Sequence, residues 1–213
     1  MRSRRTLLKQ SLIYLILDRP GYGNFTLKQI IRLVSTAKIG LLQLRDKTSS
    51  RQEVLKFACK LAKHLVLTKT LFIINDYADV ASACGADGVH LGQGDISLKQ
   101  ARKILGKDKL IGISCHNLSQ ALKAQKAGAD YLGIGPVFAT VTKPGGRGIG
   151  LEKAAALEAK IKIPYFVIGG INAENIGKVT SRGVRRVAVC RAILGAGRPE
   201  QAAQELYDRL VKL

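Results

Sequence analysis

With 213 residues, 46% of them apolar, the chain suits one domain with a self-sufficient core and is too apolar to be disordered. Its formal net charge of +20 favours phosphorylated ligands, but the basic residues are scattered and aromatics make up only 5%. No recognition helix or base-stacking platform stands out, so no specific nucleic-acid partner is expected.

Met1-Arg2-Ser3-Arg4-Arg5 and the apolar residues after it imitate a signal peptide, yet Lys9-Gln10 interrupts the run. The run ends in Asp18-Arg19-Pro20 without a small-residue cleavage site. No stretch approaches the ~20 apolar residues of a membrane span. A soluble, cytoplasmic protein without a membrane partner is expected. Cys59, Cys84, Cys115 and Cys190 lie far apart, which suits neither a disulfide framework nor a zinc site. Cys115-His116 is no nucleophile-base pair, because neighbours on a strand face opposite ways.

Short β-rich runs then alternate with amphipathic stretches. The strands are expected at Leu12–Leu17, Leu41–Leu44, Leu71–Ile74, Gly88–Leu91, Leu110–Ile113, Tyr131–Ile134, Tyr165–Ile168 and Arg186–Val189. Helical patterns fall near 25–37, 51–67, 78–84, 97–105, 118–127, 151–160, 173–181 and 199–212. Eight strands, each followed by a helix, predict parallel pairing with right-handed crossovers. An open doubly-wound sheet would concentrate function at one crevice. Here polar and glycine residues follow nearly every strand, which predicts one (β/α)8 TIM barrel, an α/β fold, over residues 1–213. Such barrels usually run to ~250 residues and rarely below ~200, so the loops must be short.

Candidate site residues sit at the expected carboxyl ends of the strands. In Gln43-Leu44-Arg45-Asp46-Lys47, alternation puts Gln43, Arg45 and Lys47 on one side and the leucines towards the helices. Two cations beside an amide make a diphosphate clamp, or else an inner salt-bridge layer. Asn75-Asp76 follows the third strand, and Gly88-Val89-His90-Leu91-Gly92-Gln93-Gly94-Asp95 contains the fourth. Asp76 and Asp95 are hard oxygen ligands suited to Mg²⁺, or else caps for the helices that follow. His90 reads as structural.

Gly112-Ile113-Ser114-Cys115-His116 ends the fifth strand with small polar groups. The loop after the sixth carries Thr140-Val141-Thr142-Lys143, two hydroxyls and a cation that suit an anion. Gly169-Gly170 after the seventh strand and Cys190-Arg191 after the eighth stand where barrels often hold phosphate. Two anion sites at one mouth result, one suited to a diphosphate and one to a monophosphate.

Taken together, these segments resemble the thiamine phosphate synthase family over roughly Tyr14 to Ile193. The resemblance implies that Gln43, Leu44, Arg45, Asp46, Lys47, Asn75, Ser114 and Lys143 bind an aminopyrimidine diphosphate. It also implies that Asp76 and Asp95 hold Mg²⁺, and that Thr140, Val141, Thr142, Gly170, Cys190 and Arg191 hold a thiazole phosphate. Arg45, Lys47 and Lys143 would then be the catalytic cations, stabilising the departing diphosphate. Arg191 stands where the family usually has serine, and Cys190 replaces an aliphatic neighbour. Phosphorylated small molecules are the expected partners, and the sequence leaves a homo-oligomer open.

Three rivals remain: a thiazole tautomerase on the same barrel, another sugar-phosphate barrel, and a noncatalytic nucleic-acid-binding barrel. The first usually lacks the full metal and diphosphate set. The second explains Gly170 but not the paired carboxylates beside cations. The third predicts tight, steeply salt-dependent polyanion binding.

Overall fold

The computed structural model describes residues 3–22, 24–138, 149–157 and 159–212. The expected site residues Thr140, Val141, Thr142 and Lys143 lie outside them. The elements run α1 (Arg4–Gln10), β1 (Ile13–Asp18), α2 (Arg19–Tyr22), α3 (Leu27–Thr36), β2 (Leu41–Arg45), α4 (Arg51–Leu65), β3 (Leu71–Asn75), α5 (Ala78–Ala83), β4 (Gly88–Leu91) and α6 (Leu98–Leu105). They continue with β5 (Leu110–Cys115), α7 (Leu118–Lys126), β6 (Tyr131–Ile134), α8 (Leu151–Ala155), β7 (Tyr165–Ile168), α9 (Ile176–Thr180), β8 (Val187–Val189), α10 (Arg191–Leu194) and α11 (Pro199–Val211). The strands close in sequence order, β1 pairing with β8, and every pair is parallel. This is the (β/α)8 barrel the alternation predicted.

Two apolar clusters hold it together. One fills the space between barrel and helices, with Leu15, Leu42, Leu44, Ile74, Val89 and Val167 pointing outward from their strands. The other lies inside the barrel and includes Tyr14, Leu41, Ile73, Leu110, Tyr131 and Phe166. Strand alternation divides each strand's side chains between the two.

Helix starts follow the chemistry of exposed backbone N–H groups. Thr26, Ser50 and Ser97 each close a capping box, with Gln29, Glu53 and Gln100 at the third helical position. The expected helix near 151–160 is only Leu151–Ala155, and that near 173–181 only Ile176–Thr180. Neither has a side-chain cap, and Gly177 inside α9 weakens a helix already short.

The basic segment at the start of the chain forms α1, a helix the strand-and-helix pattern did not single out. Ser3 caps it, and Leu8 enters the inner cluster from the amino-terminal end of the strands. Arg4 pairs with Asp87 at 2.6 Å and Arg5 with Asp130 at 3.0 Å, both just ahead of strands. The helix therefore stoppers the barrel's lower end.

Candidate active site

At the carboxyl end of the strands the barrel opens into a cavity of about 370 Å³, within the range typical of small-ligand sites. Gln43, Arg45, Asn75, Ser114, Gly170, Cys190 and Arg191 line it, drawing the ends of five strands into one mouth. The inward alternation of each strand puts them there. Tyr14, Ile16 and Asp18 alternate inward from β1, as do Gln43 and Arg45 from β2.

The cations expected to clamp a diphosphate are already paired. Arg45 donates from Nη1 to Asp18 Oδ1, and Lys47 Nζ lies 3.0 Å from Asp76 Oδ2. Arg45 is partly buried and lines the cavity, whereas Lys47 is exposed and outside its lining. An anion entering here exchanges carboxylate partners for its own oxygens rather than meeting bare charges.

Two members of that segment have other uses. The Leu44 side chain is buried among the helices and offers the cavity no side-chain contact. Asp46 is also buried; its Oδ1 accepts from Thr48 N at 3.1 Å and Ser49 N at 3.0 Å, and its Oδ2 from Arg19 at 2.9 Å. Burial works against its charge, but the Ser49 and Thr48 bonds and Arg19 prevail and hold its pKa below the usual carboxylate value. Neither side chain lines the cavity, and each has a structural use.

Asp76 and Asp95 interact with one another just beyond Asn75, which lines the cavity, though neither carboxylate lines it itself. Asp76 has φ +64°, a left-handed conformation uncommon outside glycine, and its N–H donates to His90 O at 2.9 Å. Its pKa is raised, first by burial and then by the neighbouring Asp95 carboxylate, against the opposing pull of Lys47. Asp95 Oδ2 accepts from Gly92 N at 2.6 Å. Neither residue caps a helix. Tyr77 precedes α5 without a side-chain cap bond, and Ser97 caps α6. Two adjacent oxygen ligands, one carrying an energetic penalty for its charge, fit a hard divalent cation such as Mg²⁺. Among the described residues, no group of three or more His, Cys, Asp and Glu side chains forms a metal site. Waters and substrate oxygens would have to complete the coordination, as Mg²⁺ commonly requires.

The opposite wall is mostly backbone. Gly169 and Gly170 have φ of +109° and +65°, and a Cβ at Gly169 would lie 2.5 Å from Pro136 Cβ. Asn175 Nδ2 donates to Gly170 O at 2.8 Å and fixes the turn. Cys190 precedes the four-residue α10, and burial pushes its thiol up to about 11. Cys115 lies among the helices, its thiol pushed up to about 12 by burial, while His116 Nδ1 lies 2.6 Å from Gly135 O. Neither cysteine is a ready nucleophile.

The sequence reading passed over Tyr14 and Tyr131, which sit at the floor of the cavity with His90. Both occupy inward register positions, Tyr14 on β1 and Tyr131 on β6, where a buried tyrosine is indistinguishable from core in the sequence.

The family model described as thiamine monophosphate synthase matches residues 13–193. The chain belongs to this family. A relative in Clostridium acetobutylicum named thiamine-phosphate synthase is 40% identical over 200 residues, covering 94% of this chain and 95% of its own. One of the same name in Gloeobacter violaceus is 40% identical across 97% of this chain. The chain spans only 59% of that protein and similarly about half of other cyanobacterial relatives. The solved thiamine phosphate pyrophosphorylase of Pyrococcus furiosus superposes with a TM-score of 0.86, at 32% identity, over 97% of this chain and 98% of its own. A geranylgeranylglyceryl phosphate synthase from Thermoplasma acidophilum, at TM-score 0.70 and 13% identity, shares the fold alone.

Proposed function

We propose that this family member is a thiamine-phosphate synthase, a transferase of thiamine biosynthesis. It joins 4-amino-2-methyl-5-(diphosphooxymethyl)pyrimidine to a thiazole phosphate and releases diphosphate. The relatives spanned almost end to end support the activity. The single structural observation that supports the site assignment is the paired carboxylates Asp76 and Asp95 with Lys47 on Asp76. A thiazole tautomerase or a monophosphate isomerase has no comparable use for that set.

In this reaction the bond from the pyrimidine methylene to diphosphate oxygen breaks, and the thiazole nitrogen donates the pair that forms the new C–N bond. No nucleophilic side chain is required. Negative charge grows on the leaving oxygen, so the rate depends on cations placed before the reaction begins. Arg45 and Lys47 supply two, and Lys143 is assigned a third from the family resemblance. Mg²⁺ held by Asp76 and Asp95 would neutralise charge on the diphosphate and orient it.

Gln43, Asn75 and Ser114 present polar groups to the pyrimidine side of the cavity. Gly170 and the Cys190-Arg191 backbone hold the thiazole phosphate, and Thr140, Val141 and Thr142, outside the described residues, are assigned to the same ligand from the family resemblance. Bringing both substrates into one mouth replaces a bimolecular encounter with a positioned attack. Among the described residues no helix is long and apolar enough to cross a membrane. We place the enzyme in the cytoplasm, acting on phosphorylated small molecules.

The test is direct. Purified protein incubated with both substrates and Mg²⁺ should yield thiamine phosphate and diphosphate, resolved by chromatography. Turnover only of a thiazole carboxylate phosphate into its isomer would establish the tautomerase instead.

A further inference from the structure

Across the floor of the cavity a single hydrogen-bonded chain links residues of five strands. Gln43 Nε2 on β2 donates to the Tyr14 hydroxyl on β1. The Tyr14 and Tyr131 hydroxyls are 2.9 Å apart, Tyr131 on β6 lies 3.2 Å from His90 Nδ1 on β4, and His90 Nε2 lies 2.9 Å from Ser114 Oγ on β5. Gln43, Tyr14, His90 and Ser114 border the ligand space, whereas Tyr131 lies beneath it, and Ser114 is the end of the chain beyond His90.

Space has been cleared for this chain. A Cβ at Gly112 would lie 2.2 Å from Tyr131 Cζ and 2.6 Å from His90 Nδ1. One at Gly133 would lie 3.1 Å from His90 Cε1. Phe166 packs edge-on against both tyrosines, with ring centroids 5.3 and 6.0 Å away. Burial raises the pKa of both phenols, so each keeps its proton.

The direction of the chain follows from its first member. An amide nitrogen only donates, so the Tyr14 oxygen accepts from Gln43 and its own proton goes to Tyr131. Tyr131 in turn donates to His90 Nδ1. A neutral imidazole accepting at Nδ1 carries its proton on Nε2 and donates to Ser114. With that bond accepted from His90, the Ser114 proton is free to point into the cavity that the residue lines.

We infer that Tyr131, backed by Tyr14, is a positioning residue: it holds His90 as the Nε2–H tautomer and so makes the Ser114 hydroxyl a donor to an acceptor atom of the bound pyrimidine diphosphate. The identity of that ligand rests on the synthase reading; the polarity of the chain does not. A serine of either polarity would have to reorient on binding, whereas this one is set beforehand.

Protein carrying ¹⁵N-labelled histidine tests the polarity without substrate. Long-range proton–nitrogen correlation reports which ring nitrogen is protonated, with His90 assigned by elimination in His64→Gln and His116→Gln. His90 should be protonated at Nε2 and bare at Nδ1, and Tyr131→Phe should shift it towards a mixture of tautomers. In steady-state assays Tyr131→Phe should lower kcat/KM for the pyrimidine substrate by about tenfold, as loss of an orienting partner does, and leave the thiazole phosphate KM unchanged. Tyr14→Phe, which removes the backing donor together with the acceptor for Gln43, should cost about twofold. In a Ser114→Ala background, Tyr131→Phe should add almost nothing, because the chain then has no end to position.

Protonation at Nδ1 in the unaltered protein overturns the inference. So does a Tyr131→Phe cost that persists undiminished in the Ser114→Ala background. Should Tyr131→Phe fail to fold, the tautomer of the unaltered protein and the Tyr14→Phe kinetics still decide. Failure of the unaltered protein to make thiamine phosphate would refute the synthase reading and leave the tautomer result standing.

Discussion

The two ends of the barrel use aspartate in opposite ways. At the lower end Asp130 accepts from Ile111 N at 2.9 Å and pairs with Arg102 at 2.6 Å and Arg5 at 3.0 Å. Asp87 likewise accepts from Phe72 N at 2.9 Å and pairs with Arg4. Each carboxylate ties a helix-to-strand turn to the neighbouring strand and to α1. At the upper end Asp76 is held in a left-handed conformation against Asp95, with its pKa raised by burial and by that second carboxylate. Fully partnered carboxylates stabilise the fold, whereas a strained, like-charged pair costs stability until a cation arrives. The difference separates the end that keeps the barrel closed from the end that does chemistry.

That contrast can be broken first from below. Leu8→Ala removes the inner-core side chain supplied by α1 and should destabilise the protein by about 3 kcal/mol, as buried leucine truncations do. Denaturant titration checks this, and activity per folded molecule should stay within about twofold because the upper mouth is untouched. A comparable loss of kcat in fully folded protein would show that the two ends are mechanically coupled.

Asp76→Asn tests the upper end. Activity should fall about 100-fold, equivalent to about 2.7 kcal/mol of transition-state stabilisation. Stability at neutral pH should rise. The sign follows from linkage: a carboxyl whose folded pKa is raised binds its proton more tightly when folded, so its ionised form opposes folding. That penalty is absent below the unfolded pKa and fully present above the folded one. Removing the charge therefore stabilises the protein at pH 7 and changes little in acid. Lower melting temperature at pH 7 would refute this account of Asp76.

Asp130→Asn should act oppositely, costing about 1–2 kcal/mol of stability through its arginine pairs and leaving kcat/KM unchanged. The amide retains one acceptor for Ile111 N, so its effect is smaller than that of Leu8→Ala.

Much of the upper end was legible because strand alternation and strand order suffice to place side chains. Gln43, Arg45, Asn75, Ser114 and Gly170 meet at the mouth as the period-two pattern requires. The same rule sends Leu44 to the helices, so the Leu44 contact implied by resemblance conflicted with a pattern already visible. Asp46 was harder, since its partner Arg19 lies 27 residues earlier and only folding brings the two together. The lower end was nearly illegible. Arg4 and Arg5 look like a leader or a solvated charge run until their partners Asp87 and Asp130 are seen across the barrel. Tyr14 and Tyr131 were hidden for another reason: buried tyrosines in a strand look like core until the hydroxyl partners are known.

Arg191 offers the finest test of where structure ends and ligand binding begins. It begins α10, borders the cavity beside Cys190, and is exposed. Its charge is felt locally, lowering the pKa of Cys190 and Tyr22 against the larger effect of burial on each. On the synthase reading, a guanidinium in that position would add a charge-assisted bond to a phosphate otherwise held by backbone N–H groups. Because the site is open to solvent, the gain is that of an exposed ion pair, about 0.5–1 kcal/mol. Arg191→Ser should therefore raise the KM for thiazole phosphate about two- to fivefold, with kcat and the pyrimidine KM unchanged, the pattern of lost uniform binding. The effect should shrink as salt rises, since screening acts on exposed pairs and hardly on the buried contacts below. Stability should not move, because the arginine, unlike Arg4 and Arg5, ties no strand to α1. A lowered kcat would instead place Arg191 among the groups that respond to the leaving diphosphate. Unchanged kinetics at low salt would assign it to the basic surface.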